Sequence, residues 1–399
     1  MQLVEQTIIG KNDPRYIIID TAAFASKNLY NAALYEIRQA FIFTGIYLSY
    51  NTMDKRMQSH EAYKALPAKV SQQVLRGLDT NWKSFFATTK EWTLHPEKFH
   101  KRPGLPKYKD KVKGRNVLVY TDQAISQKAL KERSRIVPSK LALEVRTQHS
   151  QVDQVRIVPR HGFYVVEVVY EQAIVQTEVD PDLIAGIDIG LNNLATLTAN
   201  KDGFVPRIVN GRPLKSINQW YNKKRAHIQS QLTSNRYTTN RLERMTNKRT
   251  RRIDHYLHTA SRRIIDLLVA EGIGTLIIGN NEQWKQEINL GKQTNQNFVC
   301  IPHARFIQML TYKAQLVGIV VIVTEESYTS KCSFLDNEPI KKHKTYLGRR
   351  IKRGLFRAAD GRLINADVNG ASNIIRKAAP NAFGLGSRGH VVCPIRLAV

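Results

Sequence analysis

Residues 183–199 read LIAGIDIGLNNLATLTA. An apolar run this short, closed by Gly190 and an Asn pair, reads as a buried strand over 183–190 running into a second apolar segment. Asp188 lies inside that strand, where a carboxylate is costly to bury unless something binds it. From this point the pattern is α/β. A long basic helical pair follows at about 214–271, then the strand TLIIGNN at 275–281. A helix opens after Ile301-Pro302, where proline suits a first turn, and ends near Gly318. The strand IVVIVTEE, 319–326, comes directly after it. A strand–helix–strand unit of this kind predicts two parallel strands.

A second acid stands far off in sequence. Asp367 lies in LINADVNGASNIIRK, just before an amphipathic helix carrying Ile374 and Ile375. It is 367 − 188 = 179 residues from Asp188, so only a fold can join them. Glu325 and Glu326 end the strand at 319–326. Carboxylates at the ends of parallel strands are what an oxygen-preferring ion such as magnesium needs. Two such ions about 3.5–4 Å apart bracket an in-line attack on a phosphodiester. Plainer readings compete: a salt-bridged or turn-facing Asp188, an N-cap at Asp367, and two exposed strand-end acids at Glu325 and Glu326.

The flanking segments point to a large anionic partner. The chain has 399 residues, with 61 Lys and Arg against 33 Asp and Glu, a formal charge of +28. Self-repulsion on that scale gains no stability, whereas phosphate neutralisation with counterion release explains it. The alternative is a highly soluble protein with no such partner. The basic residues are spread over several segments, which fits nucleic acid better than a membrane surface. No run of about 18 apolar residues exists to span a bilayer, and the N-terminus shows no basic-then-apolar signal pattern. Residues 1–20 read as a strand and a turn at Asn12-Asp13-Pro14, and 21–97 as helical, with Asp20 or Thr21 as the first cap. In a second helix Val70, Val74, Leu78, Trp82 and Phe85 recur at helical spacing and read as core. In 98–114, KFHKRPGLPKYKDKVKG, Pro103 and Pro106 exclude a helix. Lys101, Arg102, Lys107, Tyr108 and Lys109 there suit a loop along a phosphate backbone, or a solvated linker. Strand-like runs NVLVYT, ALEVRT, VDQVRIVP and FYVVEVVYE predict a small β-barrel or sheet. In the basic helical pair, Lys223, Lys224, Arg225, Lys248, Arg249, Arg251 and Arg252 are candidate nucleic-acid contacts. Cys300, Cys332 and Cys393 form no CxxC pair, which argues against a disulfide framework or a four-cysteine zinc site and suits a reducing, cytoplasmic setting. GLGSRG at 384–389 matches a dinucleotide fingerprint only formally, with no strand before it.

These motifs resemble those of the TnpB proteins, transposon-encoded RNA-guided nucleases related to type V CRISPR effectors. GIDIGLNNLATL (186–197) resembles their first RuvC motif, NADVNGASNIIRK (365–377) their third, and YTSKCSF (328–334) the segment that opens their zinc-ribbon insertion. The resemblance implies a multidomain α+β chain. Residues 1–20 and 98–180 would form a β-barrel wedge domain, and 21–97 a helical recognition domain. An RNase H-like RuvC domain would follow at 181–331, with its basic insertion at about 214–271, a degenerate zinc-ribbon-like insertion at 332–358 and a C-terminal part at 359–399.

Two departures from the family matter. Its second RuvC motif ends in glutamate, but Gly279 stands in that slot, and Glu282 is three residues on. A carboxylate from the neighbouring strand, Glu325 or Glu326, would then complete the set with Asp188 and Asp367. Only Cys332 and His343 remain of the zinc ribbon, so no structural zinc is expected, and the basic loop KKHKTYLGRRIKRG (341–354) would touch nucleic acid instead. The implied activity is magnesium-dependent, RNA-guided cutting of double-stranded DNA beside a short flanking motif. It implies one subunit per guide RNA, in a prokaryotic cytoplasm at the nucleoid. A nuclease-inactive RNA-guided repressor and an RNase H-like transposase are the alternatives.

Overall fold

The computed structural model describes residues 1–233, 236–280, 300–384 and 393–399. The chain divides into two compact units, Met1–Gln172 and Ala173–Val399. Glu282 and most of the 384–389 segment lie outside the described residues.

The first unit opens with β1 (Gln2–Gly10) and the helices α1 (Arg15–Thr44), α2 (Tyr50–Met57), α3 (Glu61–Lys64) and α4 (Ala68–Leu94). Then come β2 (Leu118–Thr121), α5 (Gln127–Arg133), β3 (Arg135–Ile136), β4 (Val145–Arg146), β5 (Gln154–Arg160) and β6 (Phe163–Glu171). Helix α1 starts earlier than the expected cap at Asp20 or Thr21. Pro14 presets its entry, and Asp13 Oδ1 accepts from the Arg15 amide at 3.0 Å. Asp20 instead pairs with Arg115 and accepts from the Tyr164 hydroxyl at 2.7 Å. Trp82 is fully buried against Phe41, Tyr47, Phe85 and Phe86, so these aromatics form core.

The strands form an open antiparallel sheet, β1-β6-β5-β2, beside a separate β3-β4 ladder. Among the described residues no ladder closes it into the barrel expected from sequence. Helices α1 and α4 pack on its strands, so its apolar face is covered without closure. The 98–114 segment is held by α1 rather than hanging free. Lys27 Nζ donates to the Lys111 carbonyl (2.8 Å), and Arg38 Nη1 to that of Pro106 (3.1 Å). Asn31 bonds both the amide and the carbonyl of Lys109, each at 2.9 Å.

The second unit carries β7 (Asp180–Asp188), β8 (Asn193–Ala199), β9 (Arg207–Asn210), α6 (Arg212–Ser230), α7 (Asn240–Ala270) and β10 (Ile273–Gly279). After these come α8 (His303–Leu316), β11 (Val320–Thr324), β12 (Arg349–Lys352), β13 (Leu355–Arg357), β14 (Leu363–Asn365), α9 (Ala366–Ala378) and β15 (Ile395–Arg396). One six-stranded sheet runs β11-β10-β7-β8-β9-β15. Strands β7, β10 and β11 are parallel, β8 and β9 form an antiparallel meander from β7. Every residue of β10 is buried, as expected of a strand covered on both faces. Helices α7 and α8 pack together, and α9 lies across β7, β8 and β10. Leu257, Ala260, Ile264 and Leu268 of α7 sit at helical spacing in the core.

A small antiparallel sheet, β12-β13-β14, stands where the zinc ribbon was expected to degenerate. Hydrogen bonds organise the turn before it. Glu338, 2% exposed, accepts from the amides of Ser333 (2.7 Å) and Leu347 (2.9 Å). Asn369 and Asn373 of α9 donate to the Cys332 carbonyl at 2.9 and 2.8 Å. The Cys332 thiol points at the Pro339 carbonyl, 3.4 Å away, and a His343 ring nitrogen donates to the same oxygen at 2.7 Å.

Candidate active site

The parallel register decides where the acids lie. Ile187 pairs with Ile278 across β7 and β10, and Gly279 pairs with Thr324 across β10 and β11. Asp188 is thus the last residue of its strand at the level where β10 and β11 also end. Beyond β11 the Asn280 amide donates to the Thr324 carbonyl at 2.8 Å, which holds the two strand ends together as the chain turns into Glu325 and Glu326.

The two glutamates point to different partners. Glu325 pairs with Lys377 of α9 and accepts from the Ser327 amide at 2.6 Å. The Lys377 ammonium, aided by that amide, holds its carboxyl below the usual range. Glu326 faces the sheet. A Cβ placed on Gly279 would lie 2.6 Å from Glu326 Oε2 and 2.5 Å from Ile374 Cδ1. The carboxylate therefore occupies the space above the position where the family's glutamate was expected. Burial, and then the charge of Glu325, push the Glu326 carboxyl upward against the opposing pull of Lys377.

Asp188 is reached in the same way. A Cβ on Gly370 of α9 would fall 2.7 Å from Asp188 Oδ2, so the bare backbone there lets the helix close over the acid. Burial raises Asp188 well above the carboxylate range, and the charges of Glu326 and Asp367 add to it. Arg350 only partly offsets them. Asp367 is the second residue of α9. The cap is Asn365, whose Oδ1 accepts from the amides of Asp367 (3.0 Å) and Val368 (3.2 Å). The Asp367 side chain is left to accept from Asn193 Nδ2 at 2.7 Å and to pair with Arg350 at 3.3 Å.

Asp188 and Asp367, but not Glu326, line a cleft of about 340 Å³. Its lining combines Asp188, Asp367, Asn193 and Thr196 with Arg212, Arg350 and Arg353. Thr196 Oγ1 is buried and, among the described residues, has no hydrogen-bond partner. An all-oxygen donor set with such an orphaned hydroxyl fits a hard divalent cation. Among the described residues no group of three His, Cys, Asp or Glu side chains is placed to hold a metal ion by itself. Magnesium needs none, because it keeps several waters and takes only one or two carboxylates besides substrate phosphate.

Arg212, Asn193 and the Asn365 cap escaped the sequence reading, whereas Arg350 and Arg353 lie in the basic loop 341–354 that it assigned to nucleic acid. Asn365 alone carried a signal, as a capping residue just ahead of an apolar helical repeat.

The candidate nucleic-acid residues divide by exposure. Lys101, Arg102, Lys107, Lys223, Lys224, Arg225, Lys248, Arg251 and Arg252 are exposed. Tyr108 is 44% exposed, with the Arg38 guanidinium over its ring. Lys109 turns inward over Tyr30, and burial lowers its pKa. Arg249 is committed to the protein: it donates to Asn218 Oδ1 (2.7 Å) and the Cys300 carbonyl (3.0 Å) and stacks over Tyr221. Among the described residues no helix is long and apolar enough to cross a membrane.

Comparison with known proteins follows the same segments. Residues 163–285 match a family model described as a probable transposase, OrfB_IS605. Residues 303–374 match the TNB domain of Cas12f1-like proteins. A TnpB-like protein, ORF457 of Acidianus two-tailed virus, is 23% identical over 394 residues, covering 88% of this chain and 81% of the relative. The CRISPR-associated endodeoxyribonuclease Cas12f1 of Sulfoacidibacillus thermotolerans is 34% identical over 126 residues, 31% of this chain and 26% of that protein. In fold, the chain is similar to Cas12f1 in a complex with single-guide RNA and target DNA. The TM-score is 0.56 at 15% identity, over 90% of this chain and 82% of the other. In sequence the chain is similar to the TnpB proteins and to the related type V CRISPR effectors.

Proposed function

We propose that this chain is an RNA-guided DNA endonuclease of transposon origin, with a RuvC-type site at Asp188, Glu326 and Asp367. The sheet order β9-β8-β7-β10-β11, three antiparallel strands followed by two parallel ones, supports reading the second unit as RNase H-like. The observation that carries the activity is the Glu326 carboxylate standing over Gly279, in electrostatic reach of Asp188. It supports a glutamate supplied by the turn just after β11 in place of the one β10 lacks.

Asp188, Glu326 and Asp367 would hold magnesium, which when bound supplies Lewis-acid stabilisation and a more acidic water. The chain's own groups do the positioning. Asn193 fixes the rotamer of Asp367 through its amide. Arg212, Arg350 and Arg353 line the same cleft as Asp188 and Asp367 and would draw in a phosphodiester and neutralise its charge. Arg350 would exchange its pairing with Asp367 for the phosphate as the strand enters. Guide RNA would select the target by base pairing, with the protein holding the heteroduplex backbone through its exposed lysines and arginines.

The test is cleavage of a double-stranded target by the purified ribonucleoprotein in magnesium. Loss of cutting in Asp188→Ala and Asp367→Ala, with RNA still copurifying, is the expected result. Unchanged cutting by either variant refutes the site. A second reading, a guided binder that blocks transcription without cutting, draws support from the Arg350–Asp367 ion pair. It predicts target binding with no nicking by the wild type.

A further inference from the structure

Away from the acidic cleft, α6 and α7 enclose a second cavity of about 230 Å³, lined by Ser216, Ile217, Trp220, Lys248, Arg249 and Arg252. The two triplets share one spacing, i, i+1 and i+4, and so present one face of each helix. Its chemistry is unlike that of a core gap. Trp220 is 49% exposed, an unusual position for the largest aromatic. Among the described residues three cations line the cavity and no acid does. Arg249 is bound to Asn218 and the Cys300 carbonyl and forms a fixed wall. Lys248 and Arg252 are exposed, with no hydrogen bond or ion pair among the described residues, so their charges stand ready for an external anion.

We infer that this cavity takes a single unpaired nucleotide, its base stacked on Trp220 and its phosphate held by Lys248 and Arg252. An aromatic face beside uncompensated cations matches a nucleotide's two halves, a flat π surface and an anion. The cavity admits one base and excludes a duplex, so the ligand is a flipped or single-stranded residue of a longer strand. This inference rests on the nucleic-acid reading proposed above. The shared chemistry allows the strand to be RNA or DNA.

The experiment measures binding of short labelled RNA and DNA single strands to the full chain across a salt series. Trp220→Ala should weaken binding about tenfold with little change in salt slope, and Trp220→Tyr should restore most of it. Lys248→Ala and Arg252→Ala should each lower the slope by about one. Removing one base at a single strand position should cost the wild type what Trp220→Ala costs, and cost that variant nothing more. Whichever strand shows the loss identifies the source. If Trp220→Ala, folded by its unfolding midpoint, binds both strands within about twofold of the wild type, the pocket is wrong. The nuclease reading then stands on its own cleavage assay. If the wild type binds neither strand, both fall.

Discussion

Glu326 and Gly279 exclude one another's side chains: a Cβ at 279 would meet Glu326 Oε2 at 2.6 Å. Restoring the family's glutamate at 279 is therefore not a repair. Gly279→Glu should destabilise the chain by about 1–3 kcal/mol, as overpacking does, and lower cleavage. The strain falls on Glu326 and on the flexible end of Ile374, so a partner change can relieve it. Gly279→Glu combined with Glu326→Ala should cut faster than Glu326→Ala alone. Equal or slower cutting by the double variant would show that the two positions do not serve one function.

Adjacent glutamates should behave very differently. Glu326→Ala removes the carboxylate whose charge acts most strongly on Asp188 and should slow cleavage by about 100-fold or more. Glu325→Ala breaks a pairing with Lys377 in which Glu325 is 55% exposed, a contact of the kind that contributes under about 1 kcal/mol. Its cleavage rate should stay within about threefold of the wild type. Single-turnover rates on both variants decide this, and a reversed ranking would place the functional carboxylate at Glu325.

That distinction shows where sequence reading stops. Asp188 stood out in the sequence because an acid in a buried strand breaks a local rule, whereas Asp367 sits in a helix first turn, where acids are favoured, and stood out only by its motif. The parallel pairing of β10 and β11 was legible from the strand–helix–strand order. The choice between Glu325 and Glu326 was not, because it depends on Lys377, 52 residues later, claiming the first. Arg350 likewise reaches Asp367 only because a three-stranded sheet presents it. The 98–114 segment read as a basic loop along a phosphate backbone or a solvated linker, with no sign that Lys27, Asn31 and Arg38 bind its backbone. Long-range hydrogen bonds of that kind leave no periodic trace in sequence.

Magnesium withdrawal should expose a conflict between stability and function at Asp188. Its carboxyl is pushed up by burial and by Glu326 and Asp367, so its charge opposes folding when no cation compensates it. In chelator near neutral pH, Asp188→Asn should unfold about 1–2 kcal/mol later than the wild type. Added magnesium should stabilise the wild type and leave the variant unmoved, while the variant does not cut. Calorimetry with and without the ion checks both halves. A variant that is less stable in chelator would mean that Asp188 is held by structural bonds instead.

Lys313 offers a pH test remote from the acids. It is 5% exposed on α8, and its ammonium donates to the His258 carbonyl and Ser261 Oγ, each at 2.7 Å. Burial, and then Arg262, bring its pKa down to about 8, against the pull of Asp266. Below that value lysine is charged in both folded and unfolded chains, and its full burial cost is present. Between there and its ordinary pKa of about 10.4, the unfolded chain holds a proton that the folded one releases, so its contribution to stability rises with pH. Lys313→Met keeps the volume and removes the charge. It should be more stable than the wild type by about 1–2 kcal/mol at pH 7, net of two lost hydrogen bonds. That advantage should shrink steadily from about pH 8 to about pH 10. Denaturant unfolding of the two proteins across that range isolates the effect, because the other titrating groups are common to both. A difference that stays flat with pH would show that Lys313 keeps an ordinary pKa in the fold.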